Sequence, residues 1–453
     1  MSDISPPQAA LQDTPSQNNS GDSKYSTKRQ ELRKWQIRIF ALSWLAYAAF
    51  YFPRSAFSAA KVGILEEGFL SRQTLGLLDS AYLAAYAVGQ FVWGACAEKY
   101  GTRVVVAGGM IMAGVAALLM GVIPAAALFL PLMITQGLAQ STGWSALSKN
   151  IASFFTISKR GRAMGFFSTS YAFGGLAGAP VTGWVAYTIF DSWRWAFIAG
   201  TAVIVFAFVL FIIFQRNSPQ EVGLPGIDED PALLDGQHKK GAKATDASPR
   251  TRLSAKDLLA AVRYDRMVLK LGLVYFLIKP ARYAILLWGP VLILEAMPDL
   301  STMTAIMVPI AFGITGMVAP VLAGWLSDTV FGARRVPPSV LCLVLMVVAL
   351  ALWQVVTQSG SIYLVIGLLA FIGLTAYASD AMISGVAAVD FGTSKYAAGS
   401  TGFVNGCGSV GAILGGLLPG FFSGPVIFYT FAIAALLAVA ILLPSWNKRP
   451  VSV

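Results

Sequence analysis

The chain has 453 residues, of which 56% are hydrophobic and only 12% are charged, and its mean hydropathy is +0.66. Soluble domains carry about 25% charged residues, so this composition excludes an ordinary soluble protein. A net charge of +11 is typical of nucleic-acid binding in a soluble chain. Here the basic residues fall between long apolar runs, as the positive-inside rule predicts, so the bilayer is the expected partner and nucleic acid is not.

The apolar runs are about 20 residues long and do not alternate, which predicts an all-α membrane protein. A polar tail at 1–35, interpreted as disordered and cytoplasmic, ends in a basic cluster and lacks the apolar core of a signal peptide. The polar linker 215–266 separates two stretches, 36–214 and 267–445, each predicted to be a six-helix bundle. A short cytoplasmic tail, 446–453, ends the chain. The twelve spans are predicted at about 36–63, 72–97, 103–123, 126–155, 161–189, 194–214, 267–295, 302–327, 336–357, 360–389, 396–422 and 425–444.

Loop charge predicts the orientation of these spans. Basic residues cluster in the N-terminal tail, in the linker and in every second loop. The opposite loops carry little basic charge beyond Arg72 and Arg194. Both termini are therefore predicted to be cytoplasmic, in a multi-pass protein of the inner (plasma) membrane.

Few side chains in this chain are suited to covalent or metal chemistry. Cys96, Cys342 and Cys407 lie in apolar segments and are interpreted as packing residues, so no disulfide framework is predicted. The one histidine, His238, lies in the polar linker. We predict no metal site, no cofactor and no histidine proton relay. No nucleophile–base pair or nucleotide loop stands out, so an enzyme is not expected.

Two arginines interrupt the apolar spans at corresponding places. Arg54 lies in the first span and Arg282 in the seventh, and each follows a tyrosine by seven residues and a proline by one or two. A charge at this depth costs at least about 2.5–3.5 kcal/mol and usually faces a water-filled cavity. Guanidinium binds phosphate oxygens bidentately, so one arginine from each half matches a phosphate ester. The alternative is that each arginine pairs with an intramembrane acid: Asp79, Asp380 or Asp390.

The two halves also repeat a loop pattern. Residues 94–103 and 324–335 both give glycine, an acid four residues later, then glycine and basic residues. Glycine-rich helices also occur at corresponding places, and small residues let helices approach closely. This recurrence predicts a duplicated six-helix unit. The acid and the arginine of each loop are expected to form gating or loop-fixing pairs: Glu98 with Arg103, and Asp328 with Arg335.

These features resemble the major facilitator superfamily, with Glu98 in the Asp place of the signature Gly-x-x-x-Asp-x-x-Gly-x-Arg. More narrowly, the chain resembles the organophosphate:phosphate antiporter family, and some positions look closer to its eukaryotic sugar-phosphate exchanger branch. The narrower resemblance rests on Tyr47, Tyr51, Arg54, Ala85-Tyr86, Gly94, Gly143-Trp144, Lys149, Arg282-Tyr283 and Trp288. The exchanger branch is indicated by Lys61, Asp79, Lys279, Asp390 and Gly408. The family implies that Arg54 and Arg282 hold the substrate phosphate.

Departures from the family leave the organic part of the substrate open. Ser55 stands where the family usually has a lysine, and Gln90 stands where bacterial members have one. Several family members have a histidine in helix five, near the place of Ser170 and Tyr171, and this chain has none there. The family's proline after Gly-Trp is replaced by Ser145. Phosphate recognition carries over across these changes, whereas the particular organophosphate does not.

Three lysines and three acids near the arginines have open roles. Lys61 either guides or contacts the substrate or snorkels to the interface. Lys279 shares a face with Arg282 and is expected in the pocket, the alternative being an ion pair with an acid of helix ten. Lys149 attracts anions or pairs locally. Asp380 either pairs with Lys279 or Arg282, which we favour, or binds a substrate amine or hydroxyl, or takes up a proton. Asp79 is expected to accept a hydrogen bond from Asn405, and Asp390 to act in gating.

Aromatic residues complete the predicted site. Tyrosines within two turns of an arginine are expected to donate hydrogen bonds to phosphate or substrate hydroxyls: Tyr47, Tyr51, Tyr275 and Tyr283. Trp144 and Trp288 either line the cavity or pack, with packing as the default.

The resemblance implies a monomeric secondary transporter that exchanges an organophosphate (a sugar phosphate, glycerol phosphate, phosphoglycerate or similar) for inorganic phosphate. Two alternatives stay open. One is a membrane sensor of the same fold that binds sugar phosphate. The other is a proton-coupled organic-anion symporter in which Asp380 or Asp79 carries the proton.

Overall fold

The computed structural model describes residues 18–123, 125–226, 266–332, 334–391 and 397–448. Its regular structure is helical throughout these ranges. In the first half the helices are α1 (Asn18–Glu66), α2 (Arg72–Tyr100), α3 (Thr102–Val122), α4 (Ala126–Gln140), α5 (Thr142–Phe154), α6 (Ile157–Trp184) and α7 (Arg194–Phe214). In the second half they are α8 (Arg266–Ala296), α9 (Thr302–Met307), α10 (Ile310–Thr329), α11 (Val336–Ala351), α12 (Trp353–Gln358), α13 (Ile362–Asp380), α14 (Ala388–Phe391), α15 (Ala397–Phe421) and α16 (Gly424–Leu442).

The helices follow the predicted spans, with π-helical turns at Val185–Ile189 and Ala381–Ala387. Within the described ranges, nine helical segments are long and apolar enough to cross a membrane. The other three predicted spans fall on α1, on α4 and α5, which divide at Ser141, and on glycine-rich α6. The span on α1 carries three cations, Arg38, Arg54 and Lys61. The count of twelve therefore stays a prediction.

The helix α1 begins earlier than predicted. It starts at Asn18, so the prediction of a disordered tail up to residue 35 is wrong for residues 18–35. The lysine, arginine, glutamate and glutamine residues at 28–34 are good helix formers and extend the helix beyond its apolar part. The remainder of the tail and most of the linker, including His238, lie outside the described residues.

The two halves pack their helices in the same pairwise pattern. In the first half α1 packs on α6 and α7, α3 on α7, and α2 on α4. In the second half α8 packs on α15 and α16, α11 on α16, and α10 on α13. These pairs correspond one to one when the halves are aligned by span order. The structure thus repeats one order of helix contacts in both halves, in line with the recurrence of the loop motifs.

The halves meet most closely where α2 packs on α15. We call the end of the bundle that holds Glu66, Arg72 and Phe421 the distal end. There Arg72 Nε donates to the Pro419 carbonyl at 2.5 Å, and its guanidinium also pairs with Glu295. In α1, Ser58 Oγ donates to the Leu287 carbonyl of α8 at 2.9 Å. These contacts between helices of different halves close the distal end.

Glycine makes this closure possible at one point on α2. A Cβ added at Gly76 would lie 2.9 Å from the Leu417 carbonyl oxygen and 3.0 Å from Gly420 Cα, both of α15. We expect Gly76→Ala to separate the two helices and to lower the midpoint of thermal unfolding by several degrees. Gly94→Ala, on the same helix with nothing within 4 Å, is the matched control. Equal midpoints for the two variants would contradict this account.

Candidate binding cavity between the two halves

A cavity of about 690 Å³ lies between the halves, within the size range of small-molecule sites. Helices α1 and α6 form one wall, and α8, α9, α10 and α13 form the other. Most of its lining is apolar. Among the described residues, the charged side chains on the wall are Arg54, Arg282 and Asp380.

Arg54 lies among tyrosine rings contributed by both halves. Its guanidinium carbon is 5.3 Å from the ring centroid of Tyr51, 5.5 Å from Tyr82, 5.8 Å from Tyr86 and 5.9 Å from Tyr283. Ring faces attract a cation without neutralising it. No carboxylate of the described residues forms an ion pair with Arg54, so the alternative of an intramembrane acid partner does not hold for it. Its charge is available to an anion in the cavity.

Arg282 forms an ion pair with Asp380, which is the favoured expectation for that acid. Its Nη1 donates to Asp380 Oδ2 at 2.5 Å, and its guanidinium carbon lies 4.0 Å from the ring centroid of Tyr377. Asp380 is the last residue of α13, where the chain enters the π-helical turn Ala381–Ala387. Such turns are frequent at functional sites because they redirect side chains. The two site arginines therefore differ, one being unpaired and the other paired.

Lys279 and Tyr275 lie beside the cavity rather than on its wall. Lys279 Nζ is 4.6 Å from the ring centroid of Tyr275 and 5.9 Å from that of Tyr283. Within the described part of the chain, Lys279 forms no ion pair with an acid of the tenth predicted span, 360–389. Tyr283 itself lines the cavity, as does Tyr51. Of the tyrosines predicted to donate to substrate, these two are the ones on the wall.

Lys61 and Asp79 form a fully buried ion pair. Lys61 Nζ lies 2.5 Å from Asp79 Oδ2, and neither side chain is exposed. Lys61 Nζ also donates to the Leu287 carbonyl at 2.8 Å and lies 4.4 Å from the ring centroid of Trp288. The pair belongs to the first half, while Leu287 and Trp288 belong to the second, so Lys61 adds to the distal closure.

This arrangement corrects two expectations. Lys61 neither snorkels to the interface nor lines the cavity, because Asp79, only 18 residues away across the α1–α2 turn, neutralises it in the interior. Asp79 does not accept from Asn405, whose amide donates to the Thr401 carbonyl at 2.9 Å. Two charges in a low-dielectric interior pair with each other in preference to a neutral amide.

Tyr47 and the two tryptophans have packing positions. Tyr47 is buried, with its ring centroid 5.4 Å from Trp144 and 5.5 Å from Phe167. Trp144 also stacks on Phe167 and is absent from the cavity wall. Trp288 is fully buried and its Nε1 donates to the Gly416 carbonyl at 3.1 Å. Packing, the default expectation for both tryptophans, is what the structure gives, and Tyr47 joins them.

The two predicted loop pairs differ. Asp328 Oδ1 accepts from Arg335 Nη1 at 2.6 Å, as expected. The pair of Glu98 with Arg103 is wrong, because Arg103 Nη2 donates to the Ile212 carbonyl instead and Glu98 is exposed. Unsatisfied carbonyls in the last turn of α7 are strong acceptors for a cation.

The last two residues of the predicted gating set are Lys149 and Asp390. Lys149 Nζ donates to the Ala97 carbonyl at 2.9 Å, near the C-terminal end of α2. This is a local partner of the kind expected for it. Asp390 falls in α14, and its side chain lies outside what the structure describes.

Several tyrosines of the site were not predicted. Tyr171 and Tyr377 line the cavity, and Tyr82 and Tyr86 surround Arg54. Tyr82 and Tyr86 are four residues apart, a spacing that places both on one face of α2. That spacing was a usable signal, although tyrosines in spans are common as packing residues.

Two repeated helical halves around a central charged cavity define a multi-pass membrane transporter, not an enzyme. The chain belongs to the Major Facilitator Superfamily, whose family model matches residues 43–401.

Relatives of known description span nearly the whole chain. A probable hexose phosphate transport protein of Chlamydia trachomatis is 29% identical, covering 92% of each chain. The membrane sensor protein UhpC of Escherichia coli is 28% identical, covering 94% of this chain and 97% of that one. The glycerol-3-phosphate transporter of Bacillus subtilis is 25% identical, covering 94% and 95%. These relatives agree with the narrower resemblance to organophosphate:phosphate antiporters.

A solved structure shares the fold. It is a bacterial homolog of the human lysosomal transporter Spinster, in an inward-facing, unoccupied conformation. It superposes with a TM-score of 0.70 at 12% identity, covering 91% of this chain and 96% of that one.

Proposed function

We propose that this protein is a secondary transporter that exchanges an organophosphate for inorganic phosphate. The observation that carries the proposal is the position of Arg54 and Arg282 on opposite walls of one cavity, one from each half. The similarity to a probable hexose phosphate transport protein and to a glycerol-3-phosphate transporter supports organophosphates as the substrate class. A sugar phosphate, glycerol phosphate or phosphoglycerate carries the same phosphoryl group, so the two arginines do not choose among them.

The charge arrangement supports exchange by alternating access. Arg54 has no acid partner within the described ranges, so the empty cavity holds an uncompensated cation. A phosphate that bridges Arg54 and Arg282 neutralises this charge and ties the halves together. The loaded protein then rocks as a unit, whereas the empty one keeps an unpaired charge at its centre. Exchange of one anion for another follows, because return in the empty state is unfavourable.

The distal closure fits one state of such a cycle. Ser58, Lys61 and Arg72 of the first half all bond to carbonyls of the second half near the distal end. Opening the cavity at that end breaks these bonds, while the Lys61–Asp79 pair stays within one half. With both termini cytoplasmic, as loop charge predicts, the distal end faces away from the cytoplasm. We propose that the protein works as a monomer.

The test is uptake of labelled phosphate into proteoliposomes preloaded with inorganic phosphate. We expect rapid counterflow in preloaded vesicles and little uptake in empty ones, with no effect of a proton ionophore. Uptake that needs a proton gradient would instead assign proton symport, in which Asp380 or Asp79 carries the proton.

One relative supports a second candidate, a membrane sensor. UhpC is described as a sensor and matches the chain over 94% of its length. A sensor with this cavity binds organophosphate without carrying it across the membrane. Ligand-dependent thermal stabilisation combined with no flux in the vesicle assay would favour this candidate over transport.

A further inference from the structure

Asp380 leaves one carboxylate oxygen without a partner at the cavity. Oδ2 accepts from Arg282, whereas Oδ1 is buried and has no hydrogen-bond partner among the described residues. The Tyr275 hydroxyl lies near this carboxylate, and no hydrogen bond of ordinary geometry joins it to Oδ1. An unmet charged acceptor is costly in a dry interior. A ligand that supplies a donor there removes this cost.

The sum of the charges on the cavity wall indicates which hydrogen-bond donor the ligand supplies to Asp380. Arg54 and Arg282 are positive and Asp380 is negative, which leaves one net positive charge. A phosphate monoester carries close to two negative charges near neutral pH. Binding a plain phosphate ester therefore leaves one uncompensated negative charge beside a carboxylate. An ammonium group on the ligand cancels this charge, whereas a hydroxyl does not.

Lys279 is a further cation near the cavity that could balance the charge of a bound phosphate. Its ammonium lies against the rings of Tyr275 and Tyr283 and is absent from the cavity wall. Because Lys279 is not on the cavity wall, it is poorly placed to balance a bound phosphate. Lys279 nevertheless gives the rival account, in which the protein itself supplies the missing charge.

We propose that Asp380 is a specificity residue whose carboxylate binds an ammonium group of the substrate. The substrate class is then an amino-substituted phosphate monoester, such as a phosphorylated amino sugar or amino alcohol. Because Asp380 contacts Arg282 directly, the ammonium and phosphate groups can belong to one small molecule. This inference rests on the proposed transport of phosphate esters and narrows their class.

Competition with matched ligands tests this assignment. Exchange of labelled phosphate in preloaded proteoliposomes is inhibited with glucosamine 6-phosphate against glucose 6-phosphate, and with phosphoethanolamine against ethyl phosphate. We expect the amino member of each pair to compete about ten-fold better or more, as for other hydrogen bonds between charged groups. In Asp380→Asn the amino and the non-amino member of each pair are expected to compete equally well, whatever the absolute rate of exchange. Asp328→Asn, which changes a carboxylate outside the cavity, keeps the wild-type ratio.

The outcomes separate the inference from the proposed function. Equal competition by both members of each pair, with phosphate exchange intact, overturns the inference alone. Loss of competition by the non-amino esters in Lys279→Gln, without an amino preference in the wild type, assigns the missing charge to Lys279. If no exchange occurs, transport fails, and the same pairs are compared by their shift of the thermal unfolding midpoint. An amino preference there that disappears in Asp380→Asn still supports the inference, and its absence overturns it.

Discussion

Replacement of Arg54 by lysine is expected to slow phosphate exchange by about 100-fold, because hydrogen bonds to charged groups contribute about 1.5–3 kcal/mol each. Lysine keeps the charge but loses the planar fork that binds two phosphate oxygens at once. The four tyrosine rings around Arg54 offer no carboxylate in its place. The initial rate of counterflow in preloaded proteoliposomes measures the effect.

The matched control is Arg194→Lys. Arg194 lies outside the cavity and forms an exposed pair with Glu67 at 3.3 Å. We expect it to exchange at the wild-type rate, since exposed pairs contribute little. Arg282→Lys is also expected to lose exchange, and there Asp380 remains to pair with the new ammonium. Unimpaired exchange in Arg54→Lys, at normal folding and reconstitution, would rule out a site built on two arginines.

The helices and the two arginines were predictable because their signals are local. Apolar length predicts a span from the sequence of that span alone. Arg54 and Arg282 stand out because a charge in such a run is expensive wherever the helix packs. The Asp328–Arg335 pair was also predictable, since both residues belong to one short turn. Each of these predictions needed no knowledge of which helices are neighbours.

The partners across helices were harder to predict. The spacing of Lys61 from Arg54 places both on one face of α1, yet α2 and α8 cover the Lys61 end of that face and leave the Arg54 end open. Arg103 binds the Ile212 carbonyl of α7, an acceptor that every helix end supplies and no side-chain pattern marks. Tyr82 and Tyr86 reach Arg54 from α2, a placement that depends on how the two helices are arranged in the bundle. Such contacts follow from helix packing.

The asymmetry between the arginines links the fold to the proposed cycle. The repeat gives each half one arginine at a corresponding position, but among the described residues only the arginine of the second half pairs with an acid. A phosphate that enters therefore meets a free cation at Arg54 and a paired one at Arg282. It must share Arg282 with Asp380, so the second half responds to binding by rearranging an ion pair. The first half responds by neutralising a lone charge.

Breaking the buried pair of Lys61 and Asp79 is expected to be the most destabilising single change considered. Lys61→Met leaves the Asp79 carboxylate unpaired in the interior, which costs about 3–5 kcal/mol of unfolding free energy. The double variant Lys61→Met/Asp79→Leu is expected to recover most of this loss, because it removes both charges and leaves apolar side chains. Removing the exposed pair with Glu67→Ala/Arg194→Ala is the control and is expected to cost less than about 1 kcal/mol. Denaturant unfolding of the detergent-solubilised protein measures all three, and adding the single variant Asp79→Leu completes the double-mutant cycle that isolates the coupling energy. If Lys61→Met loses no more unfolding free energy than the variant without the exposed pair, the Lys61–Asp79 pair does not stabilise the fold.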